Sequence, residues 1–147
     1  MLEAVQEQVS VISKEYNEAL GKIIDEFQTK SAKLYQGVFD TFTDINSFGW
    51  TQYTPWFNDG DTCEFGVNTW DPYVNEVSYY YELDEEEKAE FSLTEERFEE
   101  IQKAITKFID GIPEQILQQL YGDHCMITVK KDETGKIEVD VSEYEHD

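Results

Sequence analysis

Basic residues are what this sequence has least of. Eleven lysines and arginines stand against 33 acidic residues in 147, a formal net charge of −22. Arg97 is the single arginine, and residues 41–81 contain neither Lys nor Arg. A surface so poor in cations has little with which to neutralise phosphates, and anionic headgroups repel it. Direct binding to nucleic acid and attachment to membranes are therefore excluded.

Cysteine is scarce as well. Cys63 and Cys125 are far apart and form no C-x-x-C pair. Two such thiols fit a reducing compartment better than a disulfide framework. A structural zinc site needs four ligands, usually in close pairs. Here His124 stands beside Cys125, but the other histidine, His146, is almost at the end of the chain. Asn58, Asp59, Asp61 and Glu64 lack the regular spacing of a calcium loop. No metal and no cofactor is expected.

Long apolar runs are missing too. None approaches the ~20 residues that span a bilayer, and the first residues lack the basic start and apolar centre of a secretion signal. The expected location is the cytoplasm, that of the host if the protein is phage-encoded. The phosphate-binding, dinucleotide-binding, nucleophile-elbow and H-E-x-x-H motifs are all absent. Carboxylates are so numerous that no pair stands out as a general acid and base. Immediate neighbours such as His124 and Cys125 make a poor base and nucleophile. The chain is not expected to be an enzyme.

What is present is aromatic and patterned. Hydrophobic residues make up 39% and aromatics 14%, whereas a disordered acidic tail is poor in aromatics. The length fits a single domain over residues 1–147. The pattern predicts an α+β fold. Its antiparallel sheet is a three-strand meander plus a C-terminal hairpin, packed with helices, and a long N-terminal helix or helical hairpin precedes it.

In residues 2–38, Leu2, Val5, Val9, Ile12, Tyr16, Leu20, Ile23, Phe27, Leu34 and Val38 recur in helical steps. One unbroken helix of that length runs ~50 Å, longer than a domain of this size is wide. Either the helix breaks near Thr29-Lys30-Ser31 and ends about Gly37, or part of it projects and pairs with a second copy of the chain.

The period then changes to two. Phe48–Tyr53 reads as a strand, Asn58-Asp59-Gly60-Asp61 as a turn, and Cys63, Phe65 and Val67 mark the returning strand. Asp71-Pro72 reads as a second turn, and residues 73–81 as a third strand. Helical signals return with Asp84 before Glu85-Glu86-Glu87. A stronger start follows, with Thr94 as cap and Leu93 and Phe98 as a hydrophobic staple. Asp110-Gly111 ends that helix, and Pro113 opens another that stops at Gly122. Residues 126–130 and 137–141 form the hairpin. Glu143 to Asp147 are expected to be a loose acidic tail.

The charge is concentrated. Residues 41–100 carry sixteen acids against Lys88 and Arg97, or −14. At roughly three times the upper end of the ~2–8 suited to solubility, such a load repels itself and destabilises the compact state. Carboxylates at i and i+4 on a helix stand ~6 Å apart, and those at i and i+2 on a strand ~6.6–6.8 Å apart. Either row approximates a line of phosphates. The candidate partner-binding residues are Glu95 with Glu99, Glu96 with Glu100, Glu82, Asp84, Glu85, Glu86, Glu87 and Glu90. Glu76 is added from the expected third strand, Glu138 and Asp140 from the hairpin, and Tyr80 as an aromatic anchor.

These features imply an acidic inhibitor that binds the basic surface of a nuclease or other nucleic-acid-binding enzyme by imitating DNA. In physical properties, though not as a sequence family, it resembles the small acidic proteins with which phages block restriction or CRISPR nucleases. An immunity or antitoxin protein facing a basic toxin would need the same charge. An assembly protein dimerising through residues 2–38 is a third reading.

Overall fold

The structure is a computed structural model that describes residues 1–57 and 60–146. Its first element is a single helix, α1 (Leu2–Thr41). The helical-hairpin alternative is thereby overturned, and the reason is local. Thr29 Oγ1 donates to the Asp25 carbonyl and Ser31 Oγ to the Gln28 carbonyl, each at 2.8 Å. Both hydroxyls bond back to carbonyls of the helix itself, contacts that can bend a helix but do not end this one. Lys30 pairs with Glu26 at 2.7 Å across one turn. The helix also passes Gly37 and closes where Phe42 N–H reaches the Val38 carbonyl at 2.9 Å. Forty residues make it ~60 Å long.

A four-stranded antiparallel sheet follows, formed by β1 (Ser47–Tyr53), β2 (Gly66–Val74), β3 (Cys125–Lys131) and β4 (Ile137–Glu143). The strand order is β2-β1-β3-β4. The expected meander is not there. β3 pairs with β1 from Ser47↔Lys130 to Gln52↔Cys125, so the C-terminal hairpin extends the same sheet.

The third strand expected over residues 73–81 is replaced by a reversal. Asn75 and Glu76 have φ of 49° and 71°, and Val74 and Val77 exchange backbone hydrogen bonds of 2.9 and 3.0 Å. Asn75 suits this left-handed position. Its Oδ1 accepts from the backbone of Asn46 at 2.8 Å and of Ser47 at 3.3 Å, tying the turn to the start of β1. A 3-10 turn, Tyr80–Glu82, comes next. Asp71-Pro72, read as a turn, instead lies within β2. Proline is tolerated there because β2 is an edge strand, and the register with β1 shifts between Gly49 and Thr51. Of the turn expected over residues 58–61, Asn58 and Asp59 lie outside the described residues.

The later helices form as patterned. α2 (Glu85–Glu90) has a full capping box between Asp84 and Glu87. α3 (Glu95–Asp110) is capped by Thr94 Oγ1, which accepts from Arg97 N–H at 3.2 Å. α4 (Glu114–Tyr121) follows Pro113 and stops at Gly122, whose φ is 91°.

The core lies between the sheet and the helices. Phe48, Trp50, Ile127 and Val129 meet Tyr35 and Phe39 of α1, Phe98, Ile101 and Ile105 of α3, and Leu117 of α4, all buried. Phe48 makes edge contacts with Tyr35 at 5.9 Å and Phe108 at 6.2 Å. Gly49 lets β1 and β3 close up, because a Cβ there would run into the Ile127 carbonyl oxygen.

Gln52 is fully buried and joins β1 to the end of α4. Its Oε1 accepts from Trp50 Nε1 at 3.0 Å, while its Nε2 donates to the carbonyls of Leu117 at 2.9 Å and Gly122 at 2.7 Å. Replacing Gln52 with Ala leaves an indole N–H and two carbonyls without this partner. The Gln52→Ala variant is expected to lose about 3 kcal/mol, read as a lower urea midpoint at unchanged slope. An unchanged midpoint would remove Gln52 from the structural account.

Candidate partner-binding surface

The sheet topology sorts the acidic residues. β1 and β4 begin, and β2 and β3 end, at the same end of the sheet. The turn at Asn75-Glu76 and the β3–β4 turn therefore lie at that end. α3 is anchored to it by a long-range clamp. Arg97 Nε donates to Asp44 Oδ2 at 2.9 Å and Nη2 to Asp44 Oδ1 at 3.1 Å, while Nη1 stands 3.3 Å from Glu100 Oε2. The guanidinium also lies over the Phe42 ring at 5.4 Å. The Arg97 hydrogen bonds hold the Asp44 carboxyl below the usual aspartate range, against a smaller opposing effect of burial.

All thirteen candidate carboxylates are exposed. Ten belong to the continuous segment Glu82–Glu100. Glu85, Glu86, Glu87 and Glu90 are on α2, and Glu95, Glu96, Glu99 and Glu100 are on the first turns of α3. Four of these are at the positive end of α3 or one turn inside it, a placement the helix dipole favours. The two cations of the segment are engaged locally. Lys88 stands 4.0 Å from Glu85 and 5.6 Å from the Tyr80 ring centroid, and Arg97 is held by Asp44 and Glu100. Among the described residues no ion pair reaches Glu86, Glu90, Glu95, Glu96 or Glu99.

Glu82, the first of these ten, closes the 3-10 turn and is off any strand. The remaining candidates lie outside the segment. Glu76 is in the reversal after β2, not on a strand, and borders the ridge in a cleft with Glu90, Ser47, Lys130 and Lys131. Glu138 and Asp140 are on edge strand β4, facing away from the core face that carries Val139 and Val141. Their charge is offset by Lys130, which pairs with Glu138 in register and reaches Asp140 at 3.2 Å. Tyr80 turns inward between Phe91 at 6.2 Å and Phe98 at 5.9 Å. Its neighbours Tyr79 and Tyr81 lie side by side at 5.5 Å on the surface. The nearby Asp71 carboxylate raises the Tyr79 phenol above its ordinary value.

The opposite end of the sheet holds a cluster that the sequence pattern does not reveal. His124 Nδ1 and His146 Nε2 stand 2.6 Å apart. Trp56 stacks on His124 at 4.1 Å and on His146 at 5.2 Å, and Tyr53 stacks on His146 at 4.0 Å. Asp123 braces the cluster by accepting from the Thr54 N–H at 2.7 Å, the Thr54 hydroxyl at 2.6 Å and the His124 N–H at 2.8 Å. Partial burial opposes its charge, but these bonds together keep its carboxyl below the usual range. The histidines are 22 residues apart, and their meeting depends on a positive φ of 50° at His124. Neither property is periodic, so pattern reading has no signal for it. Among the described residues no three His, Cys, Asp or Glu side chains converge to hold a metal, and no helix is long and apolar enough to cross a membrane.

Comparison with protein families, with curated proteins and with solved structures gives no match to this chain.

The Arg97–Asp44 clamp makes stability depend on pH. Because the folded-state value of Asp44 is depressed, its contribution is present above the ordinary aspartate value of ~3.9 and fades as pH falls through the lowered value. Arg97→Gln is therefore expected to lower the urea midpoint at neutral pH, with the gap to wild type closing in strong acid. A gap that persists or widens in acid would show that Arg97 acts through packing on Phe42 instead.

Proposed function

We propose that the protein inhibits a nucleic-acid-binding enzyme by presenting the α2–α3 ridge to that enzyme's basic groove. The observation that carries this reading is the density of exposed carboxylates on two consecutive capped helices, of which only Glu85 and Glu100 are in ion pairs among the described residues. Glu86 with Glu90, Glu95 with Glu99, and Glu96 with Glu100 repeat at the i, i+4 spacing of ~6 Å. Helical backbone holds this row in place, so a cationic groove meets an anion that is already ordered. Lysines and arginines facing it exchange their counterions for fixed carboxylates, as they do on a phosphate backbone. Encounter is accelerated by the field and slowed by salt.

The ridge alone supports the imitation of a phosphate row. Glu138 and Asp140 stand across from a lysine on another surface and are auxiliary at most. The surface pair Tyr79 and Tyr81 supplies an aromatic rim of the kind that anchors protein interfaces. That pair also favours a fixed protein partner, so an immunity or antitoxin role at a basic toxin site is the second reading. The partner's identity separates the two.

The test is competition at low salt against a panel of nucleases and other nucleic-acid-binding enzymes. The protein is expected to displace DNA or RNA from at least one of them, with an apparent affinity that falls steeply as salt rises. Converting Glu95, Glu96, Glu99 and Glu100 together to Gln is expected to weaken displacement by about tenfold or more, whereas Glu138→Gln with Asp140→Asn has little effect. If no enzyme is displaced, or if both sets of substitutions do equal damage, the assignment to this ridge fails.

A further inference from the structure

A large apolar surface is left open along α1. Leu2, Val5, Val9, Ile12, Tyr16 and Ile23 are between 49% and 70% exposed, while the buried residues of the helix are Tyr35, Val38 and Phe39 near its other end. From the Leu2 end, the first side-chain hydrogen bond to another element is the one that Gln115 Nε2 donates to the Tyr16 hydroxyl at 2.8 Å. We propose that residues 2–23 of α1 pair antiparallel with the same segment of a second copy of this chain.

The exposed area calls for such a partner. The chain exposes 10081 Å². A compact monomer of 17.2 kDa is expected to expose ~7,800 Å², which leaves an excess of about 2,300 Å². A specific interface of standard size takes only ~800 Å² from each side. A projecting helix is also marginal alone, because helix stability in proteins comes chiefly from packing an apolar face.

The spacing selects a copy of the same helix. Leu2, Val5, Val9, Ile12, Tyr16, Leu20 and Ile23 advance in steps of three and four, the seam of a helix pair. The series, with steps of 3, 4, 3, 4, 4 and 3, is close to its own reverse. Turned end for end, Val9 meets Tyr16, Val5 meets Leu20 and Leu2 meets Ile23, and the axis falls between Ile12 and Ser13, so the two Ile12 side chains flank it. A two-fold axis requires this self-complementarity.

Charge selects the direction. Two molecules of −22 each repel, and the seam is where they do so least. Residues 1–24 hold four acids and two lysines, and Gln6, Gln8 and Ser13 beside the seam are uncharged. Each body reaches its own helix at Tyr16 through Gln115, and in an antiparallel pair the two Tyr16 positions are seven residues, ~10 Å, apart along the helix, about one Debye length of ~8–10 Å. A parallel pair would set them side by side. A basic partner finds little to recognise on this seam and far more on the ridge.

Sedimentation equilibrium of the full chain at micromolar concentration is expected to give twice 17.2 kDa. Val9→Glu with Ile12→Glu, both exposed positions, is expected to give a monomer with an unchanged urea midpoint and less helical circular dichroism. In a Cys63→Ser background, Ile12→Cys is expected to form an intermolecular disulfide under mild oxidation and Leu2→Cys to form little. A monomeric wild type, or a double variant that still dimerises, would overturn the pairing. Leu2→Cys cross-linking as readily as Ile12→Cys would overturn its direction. None of these readouts involves a basic partner, so the outcome is independent of the inhibitor reading.

Discussion

Everything in this fold depends on β1 being hydrogen-bonded along both edges. β2 flanks it on one side and β3 on the other, although fifty residues separate β2 from β3. That arrangement buries Phe48, Trp50 and Gln52 on the helix side and also Ser47 and Thr51, whose side chains point the other way. Gly49 permits the close approach to β3, and Gln52 locks the far end of β1 to the end of α4. Once β1 is central, the two ends of the sheet acquire different chemistry. One receives the clamp from α3 and the acidic helices, and the other receives the ring stack around His124.

The molecule tolerates its net charge by placement. The sheet interior and the inner faces of α3 and α4 are apolar, and the balanced stretch from 101 to 130 forms much of the packed interior. The excess carboxylates are outward on short helices, where backbone amides and the helix dipole partly offset them. The few cations near them are placed to hold elements together. Arg97 joins α3 to the segment after α1, and Lys131 lies over the Phe39 ring at 5.6 Å. Lys103 and Lys107 line one groove with Glu96, Glu99 and Glu100 on α3, but the acids of the segment 82–100 still far outnumber the cations beside them, which is the physical basis for its attraction to a basic surface.

Helices and the hairpin were legible in the sequence because their signals are local. Thr94 and Asp84 cap where their hydroxyl and carboxylate chemistry says they should, and the apolar stripe of α3 falls on Phe98, Ile101, Ile105 and Ile109. The order of strands was not legible, because alternation reports which face is buried and not which neighbour is paired. Residues 73–81 alternate convincingly, yet only Tyr73 and Val74 stay in the sheet, as the end of β2, since Asn75 can adopt a left-handed backbone and its side chain bonds the start of β1. Pro72 looked like a turn because only the topology reveals that β2 has a free edge. Of the acidic surface, the helical part was readable from i, i+4 spacing. The inward turn of Tyr80 and the offset of Asp140 by Lys130 depend on tertiary contacts. The histidine cluster, built from residues distant in sequence, had no local signal.

The two rims of the sheet are guarded differently from its middle. Pro72 removes an amide donor from β2, and the register slip opposite Gly49–Thr51 bends that rim away from a flat template. Glu138 and Asp140 put carboxylates along β4, where an incoming chain of like composition would be repelled. Growth by adding strands, the route to fibrils, is thus blocked at both margins even though Val139 and Val141 show partly apolar surface nearby. A chain so protected resists stacking edge to edge, although Trp70 on β2 and Trp56 and Phe57 after β1 also leave apolar surface open outside the helices.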